Sequence, residues 1–415
     1  MNANHDEFEV RSADVAATGS AGTLRAGEIA VALGAELRTE RLENLGTALN
    51  RDGQIVGGNQ ATDTFGDRRV RSVYAEVKVP LLKDRPLAQK LELQLAARSE
   101  SYSDFGRSTK PKAALFYRPV PELVLRASYG ESFLAPNLPY LYTAQSVSFT
   151  AGTLADPLRP GDPRTQVLQL SGGNPELEPE ETSARYAGVV WQPFVRSAGS
   201  ALRELSLGVE YFRFDQKNLI DRLTAAQILA DPAFASLVVR NPVAPGESVG
   251  TIRHVLTTWQ NLSRGVYEGY DFEVHWRLQR QELGDFRVDL GGTYVANEQF
   301  TAATGQYVDW DGEYAYPQFR ANGTLAWSRG PVSASVFVQH IGGYRDNFRM
   351  TRIAPQWVFT PQVAFRGIFG ATVTLGVRNV FDRPPPRDLS DTKLVNENTN
   401  FVEPAFWFLR VARRF

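Results

Sequence analysis

The 415-residue chain contains no cysteine. That excludes a disulfide scaffold, a thiolate zinc site and a cysteine nucleophile. Histidine is scarce too: His5, His254, His275 and His340 are the whole set, and no two lie close enough in sequence to suggest an imidazole site. Neither sign of charge dominates, with 45 Lys+Arg against 46 Asp+Glu, so the basic face of a nucleic-acid binder is not expected. No run approaches the roughly 18 apolar residues of a membrane helix. The opening, Met1-Asn-Ala-Asn-His-Asp-Glu, lacks the basic n-region and apolar h-region of a signal peptide. Thirty-four glycines and 24 prolines argue against a long helical bundle. There is no G-x-S-x-G, H-E-x-x-H or G-x-x-x-x-G-K-[ST] pattern, so no enzymatic activity is expected. No repeat of about 40–45 residues marks a propeller.

What the chain does carry is period-2 hydrophobicity. Ile29, Val31, Leu33, Ala35 and Leu37 alternate with Glu28, Ala30, Ala32, Gly34, Glu36 and Arg38. Val73-Ala75-Val77-Val79, Leu91-Leu93-Leu95-Ala97, Leu123-Leu125-Ala127-Tyr129 and Leu205-Leu207-Val209-Tyr211 repeat the pattern. So do Tyr270-Phe272-Val274-Trp276, Phe286-Val288-Leu290, Phe319-Ala321-Leu325-Trp327, Val332-Ala334-Val336-Val338 and Val373-Leu375-Val377. Strict alternation predicts strands with one apolar and one polar face. With less regular segments near 111–118, 180–191, 357–366 and the last residues, about 14 strands are expected. The fold class is all-β, and a chain of this length can fold as one such unit.

Alternation alone does not say which face is inside. A soluble sandwich buries its apolar face, whereas an outer-membrane barrel turns it to lipid. Three features favour an antiparallel, up-and-down transmembrane β-barrel. The clean strands run to about 9–13 residues, against roughly 5–6 in soluble sheets and about 9–11 for a tilted membrane strand. Connections alternate between short (near 80–88, 118–122, 192–201, 278–284, 328–331, 367–371) and long (near 42–67, 134–178, 215–252, 297–315, 345–356, 382–400), with 103–107 the one brief exception; barrels show this asymmetry. Aromatics near strand ends (Tyr117, Tyr211, Trp276, Tyr294, Trp327, Tyr344, Trp357, Phe408) suit two interfacial girdles. The ending, with Ala405, Trp407, Leu409 and Val411 alternating before Phe415, is similar to an outer-membrane assembly signal.

Several motifs stand on these strands. Leu125-Arg126-Ala-Ser128-Tyr-Gly-Glu-Ser-Phe133-Leu134-Ala135-Pro136-Asn-Leu resembles the R-x-S…F-R-A-P-x-L strand of TonB-dependent receptors, with Leu134 in place of the family's arginine. Gly173-Asn174-Pro175-Glu-Leu177-Glu-Pro179-Glu180-Glu-Thr182 resembles the same family's G-N-P-x-L-x-P-E-x-[ST] segment. Asn261-Leu262 with Gly269-Tyr-Asp271, and Gly376-Val-Arg-Asn379-Val-Phe381-Asp382-Arg-Pro384-Pro385, are similar to its N…G-[ED] and G-x-x-N-L-F-D-x-x-P strands. Each motif is weak alone; four in the family's order, from about residue 25 to the end, are specific. Physically, Pro175 and Pro179 withhold ladder donors and keep their stretch out of the sheet. Asn379 and Asp382 turn the chain on their own backbone. These residues shape loops and strand starts rather than touch solute.

The resemblance implies an outer-membrane location in a Gram-negative cell and energised uptake of a scarce solute. Siderophore-iron, cobalamin, nickel complexes or an oligosaccharide are the solute classes implied. It also implies contact with lipid and with the barrel assembly machinery. Coupling to TonB would run through a plug domain that is not in this chain. Family barrels have about 22 strands, so residues 25–415 correspond to about 14 strands of such a parent, and residues 1–24 to a remnant of the preceding strand and its turn. A fragment or mis-started gene product, one part of a split receptor, and a smaller self-closing barrel acting as a passive pore remain open, as does a secreted soluble β-protein. In the long loops, Tyr140, Tyr142 and Gln145, and Tyr307, Trp310 and Tyr314, are candidate solute contacts. Thr224-Ala-Ala-Gln-Ile-Leu-Ala reads as a short helix above the mouth. Asp309-Trp-Asp311-Gly-Glu313 has the opening of a calcium loop without its remaining ligands, so neither metal nor cofactor is expected.

Overall fold

The computed structural model describes the chain except for residues 1–4, 53, 55–62, 196–203, 281, 302–306, 311, 314, 347–350, 390–392 and 414–415. Fifteen strands follow one another in an unbroken antiparallel path, each beside its predecessor. They are β1 (His5–Leu24), β2 (Gly27–Leu45), β3 (Thr64–Arg85), β4 (Ala88–Tyr102), β5 (Gly106–Val120), β6 (Leu123–Leu134), β7 (Glu180–Trp191) and β8 (Ser206–Asp221). Then come β9 (Gln260–Arg280), β10 (Gly284–Thr301), β11 (Phe319–Arg329), β12 (Val332–Ile341), β13 (Gln356–Ile368), β14 (Ala371–Arg378) and β15 (Phe406–Arg413). The short strand Tyr307–Asp309 pairs beside β10. The expected meander is therefore present, with residues 5–24 forming a full strand paired to β2. Among the described residues β1 and β15 each have one ladder partner, so the sheet is open.

Register sorts the side chains. One face carries Leu93, Leu115, Ala127, Ala187, Tyr211, Tyr270, Tyr294 and Phe319 side by side across eight strands. The opposite face carries Glu92, Phe116, Arg126, Gly188, Glu210, Asp271, Thr293 and Arg320. A slip of one residue would exchange the two sets. The aliphatic face is not packed into a dry core: Leu33 is 57% exposed, Leu325 54% and Leu409 67%. Apolar surface this continuous far exceeds what a soluble monomer exposes; hydrocarbon is the solvent that matches it. Tyr117, Trp191, Trp276 and Trp327 lie towards the short-turn ends of that face, and Tyr211, Tyr270, Tyr294, Phe319 and Trp357 towards the loop ends. From Phe319 to Trp327 along β11 is about 27 Å at roughly 3.4 Å per residue, comparable with an apolar band of about 25 Å.

Two expected girdle residues sit elsewhere. Tyr344 is buried, 1% exposed, among the loops, where its hydroxyl accepts from Asn400 at 2.8 Å. Phe408 faces inward and lies over Gly376, whose hydrogen leaves room for the ring. Strand lengths also spread beyond the expected range, from 8 residues in β15 to 22 in β3. The two longest strands, β3 and β9, meet the loops at their loop ends, where Arg68 and Asn261 bond loop residues. Short turns such as 25–26, 86–87, 121–122, 330–331 and 369–370 define one rim, and connections 46–63, 135–179, 222–259 and 379–405 the other.

The apolar cluster of buried residues belongs to those loops. Val167, Leu223, Ala225, Ile228, Leu229, Phe234 and Val255 form it, from connections 135–179 and 222–259. Four short strands, Val238–Arg240, Ile252–Leu256, Leu168–Ser171 and Ser146–Phe149, make a separate sheet above it. The expected helix spans Ala225–Ala230, and Thr224 and Gln227 close its start reciprocally, which satisfies amides that have no partner inside the helix.

Candidate functional site

The mouth is built where the long loops fold back on the inner wall. Thr64, Gly66 and Arg68 share the inward face of β3, and residues 136–144 lie against them. Pro136, fully buried, offers its carbonyl to Arg68. Asn137 then starts the helix Leu138–Tyr142 by accepting from the Tyr140 amide at 2.9 Å. Leu138 and Leu141 are buried at 1% and 2% exposure. The Tyr142 ring occupies the space over Gly66, where a Cβ would stand 2.5 Å from its Cδ2. The Ala144 amide donates to Thr64 Oγ1 at 3.0 Å. Phe133, one strand-end earlier, packs edge-on against Tyr102 (5.8 Å) and Phe105 (6.3 Å).

The far end of the same loop is clasped to β9. Gly173 passes so close to the Leu141 carbonyl that no Cβ fits. Asn174 donates to the Trp259 carbonyl at 2.8 Å and accepts from the Glu176 amide at 3.0 Å. Pro175 and Pro179 carry the chain, without donors, to the ladder at Glu180. Asn261 exchanges two 2.8 Å bonds with Glu178 and donates to the Asn218 carbonyl at 2.8 Å. Glu180 accepts from the Ile220 amide at 2.8 Å, opposite the irregular stretch of β8 where Asn218 takes a left-handed φ of 56°. Two motifs far apart in sequence are thus one physical joint.

Ion pairs hold the cap's halves together. Arg240 grips Asp156 through bonds of 2.6 and 2.8 Å. Arg159 reaches both oxygens of Glu247 at 2.7 Å. The Arg240 guanidinium holds the Asp156 carboxyl below the usual carboxylate range, against the opposing effect of burial. Arg159 does the same for Glu247. Burial pushes the Tyr142 phenol up, aided by the charge of Asp104. Beside this cap, the Tyr140 ring packs at a tilt on Trp259, centroids 4.3 Å apart, and the Arg222 guanidinium lies 5.4 Å from the Trp259 ring.

Across the mouth, Trp310 is stacked between Phe300 (5.4 Å) and Tyr316 (5.3 Å). Connection 379–405 is tied to 342–355 through Asn400, which donates to the Tyr344 hydroxyl, and to the start of β13, where Gln356 exchanges bonds of 2.8 and 2.9 Å with the Phe401 backbone. Asn379, 1% exposed with φ of 48°, bonds the backbone of Arg383 (2.9 and 3.0 Å) and Glu403 (3.1 Å). Asp382 accepts from Ala405 at 2.8 Å and so launches β15; Phe381 remains exposed, edge-on to Phe359 at 5.4 Å. Residues 398–401 reach a cavity of about 1010 Å³ along the inner wall, lined by Arg126, Glu210, Asp271, Arg320 and Asn322 among others. Arg126 donates to Glu210, which also accepts from Tyr186 at 3.0 Å.

Of the candidate solute contacts, Tyr140 packs at a tilt on Trp259, Tyr142 is a packing residue, and Gln145 is exposed beside Gly172. Trp310 lies in an aromatic stack, the backbone of Tyr307 is in a short strand, and Tyr314 and Phe415 fall outside the described residues. Among the described residues no three acidic or imidazole side chains converge as metal ligands. Sequence reasoning missed Trp259, Arg222 and Arg68. An aromatic at the start of an N…G-[ED] strand was the available signal for Trp259; nothing local marks Arg68.

A family model described as "TonB dependent receptor-like, beta-barrel" matches residues 4–380. No curated protein matches the chain. The siderophore receptor PirA from Acinetobacter baumannii is similar with a TM-score of 0.67 at 15% identity, over 97% of this chain and 54% of that one. A mutant of the ferric enterobactin receptor PfeA from Pseudomonas aeruginosa, in complex with enterobactin, gives 0.66 at 18% identity over 97% and 54%. FpvAI in its complex with pyocin S2 gives 0.60 at 14% identity over 98% and 49%. At such identities the likeness is one of fold. The chain spans about half the length of these structures.

Proposed function

The chain belongs to the TonB-dependent receptor β-barrel family, and from that premise we propose that it supplies wall, lipid seal and capture loops of an outer-membrane importer for a scarce chelated metal of the siderophore class. The observation that carries this reading is the two-sided register: a continuous apolar face exposed to one side and a face with Arg126, Glu210, Asp271 and Arg320 on the other. Lipid takes the first face and a wet solute path the second. The loops add packed rings, Tyr140 tilted on Trp259 and the stack Phe300-Trp310-Tyr316, with Arg222 beside the first. Rings with a nearby cation suit an anionic, aromatic-rich chelate. Transport coupling is assigned to TonB acting on a plug domain outside these residues, and insertion to the barrel assembly machinery acting on β15.

Two measurements test the reading. The protein should leave membranes only with detergent and migrate differently before and after boiling; extraction by salt alone ends the membrane assignment. Detergent-purified protein should show tryptophan quenching with ferric enterobactin and none with cobalamin or a maltooligosaccharide. The reverse order of response would overturn the solute class while leaving the barrel in place.

A further inference from the structure

Arg68 is a cation withdrawn from water on the inner face of β3, 3% exposed. It donates through Nε to Asp104 at 2.7 Å, through Nη1 to Glu40 at 3.4 Å, and through Nη2 to the Pro136 carbonyl. Its guanidinium also lies 5.4 Å from the centre of the Tyr102 ring. Two carboxylates already answer its charge. The third acceptor is neutral and belongs to a loop, so that contact acts on position rather than on charge balance. A planar guanidinium holds three acceptors in fixed directions, which an ammonium on a flexible stem does not.

We propose that Arg68 is the positioning residue of a strap, residues 136–144, that it keeps folded inward across the mouth, and that losing this hold lets the strap lift from β3. On β3 itself the strap's other contacts are weaker in kind: the Tyr142 ring over Gly66 and one amide bond from Ala144 to Thr64. Its far side is tied to the loop, not to the wall, through the Thr143 and Tyr140 carbonyls, which accept from the Gly173 and Asn174 amides at 2.7 and 2.8 Å, and through the Tyr140 ring on Trp259. Leu138 and Leu141 are shielded as long as the strap is down. The strap leads directly into residues 146–171, the half of the cap that packs on residues 222–256, so its position sets how the cap sits at the lumen. The inference deepens the proposed function, because an opened mouth matters only if the lumen is a solute path.

The absence of native cysteine makes single introduced thiols clean reporters in the full, detergent-extracted chain. Leu141→Cys places one on a buried position of the strap itself and Ile228→Cys one in the cap core, positions 2% and 1% exposed. Arg68→Gln should speed maleimide labelling at the first by about tenfold or more, the scale of one lost charged hydrogen bond on local opening. Labelling at the second should change by less than about twofold. Arg68→Lys should fall between parent and Arg68→Gln. An unchanged rate at position 141, equal acceleration at both positions, or full retention of the parent rate by Arg68→Lys would each overturn the proposal. Extraction without detergent would end the transport reading and leave the labelling result standing.

Discussion

Asn379 shows how much a single side chain does at the loop rim. Its left-handed φ is one that asparagine tolerates better than most residues, and its amide satisfies backbone groups of Arg383 and Glu403 that the end of β14 leaves without ladder partners. Asn379→Ala removes all three bonds and keeps the strained φ, so it should lower unfolding stability by roughly 2–4 kcal/mol. A urea titration followed by the heat-sensitive gel shift measures this; parent-like behaviour would contradict the role. Asp156 is the second informative residue. Its folded pKa lies below its unfolded value, so its bond to Arg240 contributes fully above the ordinary carboxylate pKa of about 4. That contribution fades as pH falls through the lower folded value. Protection of the cap sheet from hydrogen exchange, corrected for the intrinsic rate at each pH, should therefore be flat from neutral to mildly acid pH and fall in stronger acid. Arg240→Gln should show the acid-like protection already at neutral pH.

At the scale of the strand, the two faces of β11 make opposite predictions. Leu325 faces outward and Thr324 inward on the same strand. Leu325→Arg should cost about 1–3 kcal/mol of folding into lipid vesicles, as a cation between midplane and interface does. Thr324→Arg, beside Asp289 on the wet face, should cost little. Equal penalties would mean that the faces are misassigned. Glycines under aromatic lids are a second device of these strands: Tyr74 covers Gly34, and Phe408 covers Gly376. Each ring fills the groove that a glycine leaves in the pleat and shields the ladder there.

For the whole molecule, direction is decisive. The path has an odd number of antiparallel strands, so β1 and β15 run the same way. These strands therefore do not close on one another by antiparallel pairing; closing such a sheet with antiparallel ladders alone takes an odd number of further strands. Unpaired edges in hydrocarbon cost several kcal/mol per exposed backbone group, so both edges are sites where another strand should add. A passive pore made of these strands alone is accordingly not expected. In planar bilayers the purified chain by itself should give no stable unitary conductance; discrete, long-lived steps would show that the edges do seal.

The fold was legible because its rule is local. Alternation such as Ile29-Val31-Leu33 or Val332-Ala334-Val336 fixes strand and face two residues at a time, and short turns against long loops fix direction. Asn379 bonds Arg383 four residues on, a partner within local reach, whereas Asp382 was expected to turn on its own backbone and its carboxylate instead accepts from Ala405, 23 residues away. Tyr344 and Phe408 were misplaced because position near a strand end does not say whether a ring meets lipid, loop or a facing glycine. Arg68 and Pro136, or Asn174 and Trp259, stand 68 and 85 residues apart, and no periodicity links them. Amino-acid order alone thus set the strands, their facing and their succession, which depend on neighbours along the chain. Tertiary structure alone decided which loops fold into the mouth, what holds them there, and that the sheet stays open, because those outcomes depend on groups meeting across the wall.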